Sequence, residues 1–380
     1  MPDLIATIFH LTDMHLLVDR DGEIRKEKLR RTRMLVWTAR RAPIDSLQTF
    51  FAGAMWHRQT ALTALRRALS EVLAQEQQEL AATPDAPIAV VQGGDVEALG
   101  SSAPHHAIDY EAFPSFEFVH RHLRSTDVRF TWLDIFGNHD TWPGTFPLLA
   151  IRPNAAIRGR IGSVPGLEGP WPDLLVLGAT GPVPLVIARV NTVSRDFSGE
   201  NLASGAVSEH PEDGASLNDV LDRLTGVFAP WQDRPVVRAA LLHHPVHFAY
   251  GAGGRFSSDR LDGAEELAER LKKLNVQLVL AGHVHELDPP RDATDLEAGT
   301  QPPLKSPTVQ LVAETPTQDW VERDDSDFAA LPSRSFCRYR LWADSQTFDV
   351  ERTVFKYDEG NVRFAPVQPS TTVFRGIPLE

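Results

Sequence analysis

Five short clusters of histidine, aspartate and asparagine stand out along the 380-residue sequence. They are Asp13-x-His15, Gly94-Asp95, Gly137-Asn138-His139-Asp140, His243-His244 and Gly282-His283-x-His285. Their side chains offer carboxylate, carboxamide and imidazole groups but no thiolate, a mixture that suits Mn, Fe, Zn or Co better than Ca or Mg. These clusters offer more ligand side chains than one ion can bind, but their number suits two ions that share a carboxylate. Two-metal sites clamp the attacking and leaving oxygens of a phosphoryl displacement.

Each cluster directly follows a short apolar stretch, which predicts a buried strand. The stretches span residues 4–11, 88–91, 129–136, 236–242 and 276–281. The carboxyl ends of such strands converge on one crevice, so segments far apart in the sequence deliver their side chains to one place. Helical patterns separate several of these strands, and further strands are predicted after residue 307. This order predicts stacked sheets covered by helices.

Taken together, the five clusters resemble the calcineurin-like metallophosphoesterase family, whose pattern is D-x-H, G-D, G-N-H-D/E, H and G-H-x-H in this order. The resemblance covers residues 4–290. It implies an α/β fold, a four-layer α-β-β-α sandwich of two mixed sheets flanked by helices, with a dinuclear metal site at the carboxyl ends of strands. We expect a core over 1–290 with a helical insert at about 19–84, and a β extension over 291–380 that completes the second sheet.

The resemblance also implies a role for each motif residue. The first metal would be bound by Asp13, His15 and His285. The second would be bound by Asn138, His243 and His283. Asp95 would bridge the two ions. His139 would be the catalytic histidine beside the phosphate, and Asp140 would hold its ring, as carboxylates orient catalytic imidazoles. The implied cofactors are two divalent or trivalent ions, Mn, Fe or Zn.

The activity implied by the resemblance is hydrolysis of a phosphoric ester by a hydroxide that bridges the two metals. The H-H-P form that begins at His243, together with G-N-H-D, looks most like the subgroup of bacterial cyclic-nucleotide and glycerophosphodiester phosphodiesterases. We therefore favour a phosphodiester substrate. Two alternatives stay open: a phosphomonoesterase that uses the same site, and a non-catalytic metal-binding interaction module.

Weaker signals concern the substrate. Residues predicted to contact it are His106, His244, His247 and Arg31. Residues 20–41 hold nine Lys or Arg against three Asp or Glu, and aromatic residues follow them. The segment 20–60 could therefore form a lid over an anionic substrate, or contact a membrane surface or a partner. The alternative is a solvated helix that packs its aromatic residues onto the core.

The overall composition excludes several classes. The net charge of −13 argues against general nucleic-acid binding. The single cysteine, Cys337, excludes a disulfide within the chain and a multi-thiolate zinc site, and we expect it to be buried. The sequence starts without a signal-peptide pattern and has no apolar run long enough to span a membrane. We expect a cytoplasmic protein that acts on a small phosphorylated substrate.

Overall fold

The structure is a computed structural model. It describes residues 2–14, 59–82, 86–96, 129–137, 172–193, 205–207, 216–246, 261–283, 309–316, 334–358, 360–367 and 371–379. Helices within these ranges are α1 (Gln59–Glu79), α2 (Leu217–Phe228) and α3 (Ala264–Lys273), with 3-10 turns at Leu80–Ala82 and Ala229–Trp231. Strands are β1 (Asp3–Leu11), β2 (Ile88–Gln92), β3 (Thr131–Asp134), β4 (Asp173–Leu177), β5 (Leu185–Arg189), β6 (Gly205–Ala206), β7 (Val237–Leu241), β8 (Leu261–Asp262), β9 (Leu278–Ala281), β10 (Val309–Val312), β11 (Ser335–Ala343), β12 (Thr347–Asp358), β13 (Arg363–Pro366) and β14 (Thr371–Pro378).

The first sheet brings the ends of three parallel strands to one level. Its strand order is β13-β12-β11-β1-β2-β3, and β14 also pairs with β12. Leu11 of β1 pairs with Gln92 of β2, and Gln92 pairs with Asp134 of β3. Because the three strands run parallel and end in register, the residues that follow them leave the sheet side by side.

The second sheet repeats this arrangement with the order β10-β9-β7-β5-β4. Strands β5, β7, β9 and β10 are parallel, and β4 is antiparallel to β5. Arg189, Leu241 and Leu280 pair across β5, β7 and β9 near their carboxyl ends. A small parallel pair, β6 with β8, lies outside both large sheets. The two large sheets thus each present a row of strand ends to the loops that carry the polar motifs.

Alternation along the strands of the second sheet separates two apolar cores. Successive strand side chains point to opposite faces. Ile187 and Leu280 pack with the first sheet, whereas Val186 and Val279 pack against α2 and α3. Leu69 of α1 belongs to the core of the first sheet. The layers therefore run helix, sheet, sheet, helices, which confirms the predicted four-layer α/β sandwich with two mixed sheets.

Helix α1 is the described part of the predicted insert, and an ionic contact anchors it. Glu76 is fully buried, and its carboxylate accepts hydrogen bonds from Thr7 of β1 and from Arg338 and Arg340 of β11, at 2.7 to 2.9 Å. Glu79 also contacts Arg340. The leucines at 65, 69 and 73 of this helix are buried and form its apolar face.

The carboxyl-terminal strands differ from the prediction that they complete the second sheet. Only β10 joins that sheet, whereas β11 to β14 extend the first sheet. The physical reason is that β2 pairs with only one edge of β1. The other edge of β1 pairs with β11 as an antiparallel partner along nearly the whole length of β1. The division into a core over 1–290 and an extension over 291–380 stays a prediction.

Two smaller expectations concern the cysteine and the membrane. Cys337 is a free thiol, fully buried on β11, and burial raises its pKa to about 11. This confirms its role as a small buried side chain. Among the described helices, none is both long enough and apolar enough to cross a bilayer.

Candidate metal centre

The centre is built around two aspartates that follow neighbouring strands. Asp13 comes shortly after β1 and Asp95 shortly after β2, and both have a φ of 53°. Aspartate tolerates this left-handed conformation better than most residues. The two turns are bonded to each other, since Asp13 N–H donates to the Gly94 carbonyl at 2.9 Å and Gly93 N–H donates to the Leu11 carbonyl at 2.7 Å. Both carboxylates are thereby held, buried, at the same end of the first sheet.

Hydrogen bonds from three segments fix the orientation of Asp13. Its Oδ2 accepts a bond of 2.6 Å from Thr12 Oγ1 and one of 2.8 Å from the backbone N–H of His283. Thr315, which follows β10, donates from Oγ1 to the Asp13 carbonyl at 2.6 Å. Because His283 and Thr315 follow strands of the second sheet, these bonds tie the two sheets together at the site.

His243 is oriented by a backbone carbonyl. Its Nδ1 lies 2.8 Å from the carbonyl oxygen of Gly93, which can only accept, so Nδ1 carries the hydrogen. Its Nε2 then faces Asp95 Oδ2 at 3.3 Å. Histidine ligands of metals donate their other ring N–H in this way, which fixes the tautomer and the direction of the ligating nitrogen. His243 thus has the support expected of a metal ligand that binds through Nε2.

The charges around His243 favour a cation at Nε2. Burial by itself would lower the pKa of this ring. The charge and hydrogen bond of Asp95 outweigh that effect, and Asp13 and the Gly93 carbonyl add to them, so the pKa of His243 rises to about 9. The same buried carboxylates that favour a positive charge on this ring would also favour a metal ion bound at Nε2.

Two overlapping groups of side chains could hold metal ions. The ligand atoms of Asp13, Asp95 and His243 lie within 4.8 Å of one another, and so do those of His243, His244 and His283. Oxygen and imidazole donors in this mixture suit Mn, Fe, Zn or Co. The described residues could therefore hold metal by both their spacing and their chemistry.

Glycines in the motifs leave space for the side chains of the cluster, because they have no β-carbon. A β-carbon at Gly137 would overlap Asp95 Oδ1, and one at Gly282 would overlap Thr12 Oγ1. At Gly94, which has a φ of +100°, it would lie 2.5 Å from His243 Nδ1. Glycine at position 94 permits a tight turn, because its positive φ is open to glycine without steric cost. At Gly137 and Gly282 the structure shows a different reason, because a neighbouring ligand or its support occupies the space of a side chain.

Comparison with known sequences identifies the family of this chain. A profile of the calcineurin-like phosphoesterase family matches residues 6–287. The chain belongs to this family. No curated protein matches the sequence significantly.

Solved structures resemble this family member at low sequence identity. GAP50, the anchor in the inner membrane complex of Plasmodium, is 10% identical, with a TM-score of 0.46 and coverage of 99% of this chain and 90% of its own. Purple acid phosphatase PPD1 from yellow lupin is 13% identical, with a TM-score of 0.44 and coverage of 96% and 54%. The sulfate thiohydrolase SoxB from Thermus thermophilus is 15% identical, with a TM-score of 0.42 and coverage of 97% and 59%. The chain thus spans little more than half the length of the latter two proteins.

The structure describes some of the predicted site residues and not others. It brings together Asp13, Asp95, His243, His244 and His283. The remaining predicted residues lie outside the described ranges: His15, Arg31, His106, Asn138, His139, Asp140, His247 and His285. His244, predicted as a substrate contact, lies buried against His283, with ring centroids 4.4 Å apart.

Three threonines at the site were missed from the sequence. Thr12 and Thr315 hold Asp13, and Thr192, after β5, contacts His244. The adjacency of Thr12 to Asp13 was a usable signal, because a hydroxyl beside a carboxylate can bond to it. Thr192 and Thr315 lie outside the five clusters, and only the pairing of the strands brings them to the site.

Proposed function

We propose that this family member is a dinuclear-metal-dependent phosphoesterase that hydrolyses a phosphodiester. The observation that carries the proposal is the cluster of Asp13, Asp95 and His243, in which the Gly93 carbonyl holds the His243 tautomer that leaves Nε2 for a metal. A ring oriented in this way, beside two buried carboxylates, is the arrangement of a metal centre.

The roles of the chain's residues follow the family pattern. One ion would be held by Asp13, His15 and His285, and the other by Asn138, His243 and His283. Asp95 would be shared between them, and the 3.3 Å approach of His243 Nε2 to its Oδ2 supports this. Bound Mn, Fe or Zn ions supply charge neutralisation on the phosphate and lower the pKa of the attacking water. His139 would stabilise the transition state or donate a proton to the leaving oxygen, with its ring held by Asp140.

Electrostatics explain why the substrate needs the ions. Asp13 and Asp95 are two buried carboxylates whose oxygens lie close together at the site. The described part of the site is therefore anionic without metal and repels a phosphate. With metal ions bound by these residues, the site would carry a net positive charge and would attract the phosphate. Binding of an anionic ester is thus expected only in the metal-loaded protein.

The choice of a diester rests on the H-H-P form at His243 together with the G-N-H-D block. We expect a small phosphorylated substrate, with contacts from Arg31, His106 and His247. A cytoplasmic location and a contact of residues 20–60 with a membrane surface or a partner stay predictions.

The test is hydrolysis of bis-p-nitrophenyl phosphate and of p-nitrophenyl phosphate by the Mn-reconstituted protein. We expect turnover of both, a higher kcat/KM for the diester, and loss of both activities on addition of EDTA. A higher kcat/KM for the monoester would make the protein a phosphomonoesterase. Absence of turnover in a protein that retains its metals would favour the non-catalytic interaction module.

A further inference from the structure

His244 has no place in the ligand set that the family pattern implies, yet it lies inside the cluster. It is fully buried, and its ring centroid is 4.4 Å from that of His283 and 4.8 Å from that of His243. We propose that His244 is a positioning residue, which holds the imidazole of His283 in place to bind a metal ion and is itself held by Thr192 and Gly205. The inference rests on the proposed metal centre.

Thr192 fixes both the backbone and the ring of His244. Its Oγ1 accepts a hydrogen bond of 3.2 Å from the backbone N–H of His244 and lies 2.9 Å from Nδ1 of the same residue. Thr192 is itself fully buried. A ring held at its backbone and at one nitrogen has little freedom to rotate, so its remaining edge and faces are presented to its neighbours in one orientation.

Gly205, the first residue of β6, lets the ring come this close. A β-carbon there would overlap Nδ1 of His244 and would lie 2.5 Å from the carbonyl oxygen of Thr192. That carbonyl already accepts the N–H of Ala206 at 2.9 Å, so the segment cannot move away without losing a backbone bond. Thr192, His244 and Gly205 thus form one packed unit beside the metal centre.

His283 is the metal ligand whose ring His244 would hold in place. Its φ of 73° places it in the left-handed region, which is unusual for a residue with a β-carbon. Its backbone is fixed by the bond from its N–H to Asp13 Oδ2. Its ring contacts two other imidazole rings, at an interplanar angle of 51° to His244 and 73° to His243. His243 is held by its contacts with Gly93 and Asp95, whereas His244 is held by its contact with Thr192. The Thr192 contact therefore sets the position of the His244 ring beside His283.

The experiment measures Mn²⁺ binding to the metal-free protein by calorimetric titration, so that it does not depend on activity. Thr192→Val removes the hydroxyl but nearly keeps the shape of the side chain, and Thr192 is not one of the proposed metal ligands. Residues that orient metal ligands typically contribute about 10–100-fold to metal affinity. We expect Thr192→Val and His244→Ala each to weaken one of the two Mn²⁺ sites by about this factor. The double variant should be no weaker than His244→Ala alone, because Thr192 acts through His244.

A pair of glycine substitutions provides the matched control. Gly205→Ala should weaken the same Mn²⁺ site as Thr192→Val. Gly226→Ala in α2 should bind Mn²⁺ as the wild type does, since a β-carbon there meets nothing within 4 Å. The melting temperature of each metal-free variant shows whether it is folded, and Thr192→Val decides the question if Gly205→Ala or His244→Ala fails to fold.

The outcomes separate this inference from the proposed function. Wild-type affinity at both sites in Thr192→Val would overturn the inference and leave the metal centre standing. Loss of affinity in His244→Ala combined with wild-type affinity in Thr192→Val would also overturn it, because His244 would then act as a direct ligand. If the wild-type protein binds no Mn²⁺, the proposed function itself fails.

Discussion

Thr12 Oγ1 donates a hydrogen bond of 2.6 Å to Asp13 Oδ2, so the orientation of a proposed metal ligand is set by its neighbour in the chain. The same carboxylate oxygen accepts the backbone N–H of His283, which follows a strand of the other sheet. Asp13 Oδ2 thus accepts hydrogen bonds from residues that follow strands of both sheets. The orientation of Asp13 depends on local sequence and on tertiary packing together.

We expect Thr12→Val to reduce the affinity for Mn²⁺ by about 10–100-fold, because the carboxylate of Asp13 would lose the bond that orients it. Thr12→Ser keeps the hydroxyl and should bind Mn²⁺ nearly as the wild type does. Titration of the metal-free proteins checks this. Equal Mn²⁺ affinity in the Val and Ser variants would show that the Thr12 hydroxyl does not support the site.

Much of this fold could be predicted from the sequence, because its signals are local. Apolar runs that end in polar motifs marked β1, β2, β3, β7 and β9, and the order of these motifs carried the resemblance to the family. The proximity of Asp13 to Asp95 then follows from the parallel pairing of their strands. Such pairing is the reason that residues far apart in sequence could be assigned to one site.

Other features depend on pairings that have no local signature. Strands β11 and β12 show the alternation of half-buried strands along much of their length, so their sequence does not say which of the two sheets they join. The contact of Thr192 with His244 likewise depends on the neighbouring positions of β5 and β7. The space required at Gly137 and Gly282 became clear only from the atoms that surround them.

Glu76→Gln tests whether the buried ion pairs of α1 stabilise the fold without serving the site. Glu76 is fully buried, while Arg338 and Arg340 remain 11% and 17% exposed. Removing one partner of a buried pair costs about 3–5 kcal/mol, and the partial exposure of the arginines places the expected loss near the lower end, about 3 kcal/mol. Urea unfolding of the metal-free protein measures it.

The control for this prediction is Glu71→Gln on the same helix, which removes an exposed pair with Arg67 and should leave the free energy of unfolding unchanged. The folded Glu76→Gln protein should bind Mn²⁺ as the wild type does. A loss of Mn²⁺ affinity in the folded variant would show that α1 also shapes the metal centre.

His139→Ala should separate catalysis from metal binding. We expect kcat to fall by about 10²–10⁴-fold, the usual contribution of a general acid, while the metal content stays at the wild-type level. Steady-state kinetics and elemental analysis of the same preparation check both statements. Loss of a metal ion would make His139 a ligand, and an unchanged kcat would remove it from the mechanism.

Neutralising the basic segment tests the predicted lid. The triple substitution of Arg30, Arg31 and Arg33 by Gln should raise KM for the anionic substrate and change kcat little, because only uniform binding is lost. The effect should shrink as salt is added, since salt screens exposed charges. If KM at low salt equals the wild-type value, the segment is a solvated face and not a lid.

The number of metal ions per chain tests the central claim most directly. After reconstitution with Mn²⁺ and removal of excess ions, elemental analysis should find two ions per wild-type chain and loss of both in Asp95→Asn, because a carboxamide cannot share a negative charge between two cations. Asp222→Asn, at an exposed ion pair with Arg270, is the matched control and should keep two ions. Two ions in the Asp95→Asn protein, or fewer than two in the wild type, would contradict a dinuclear centre bridged by Asp95.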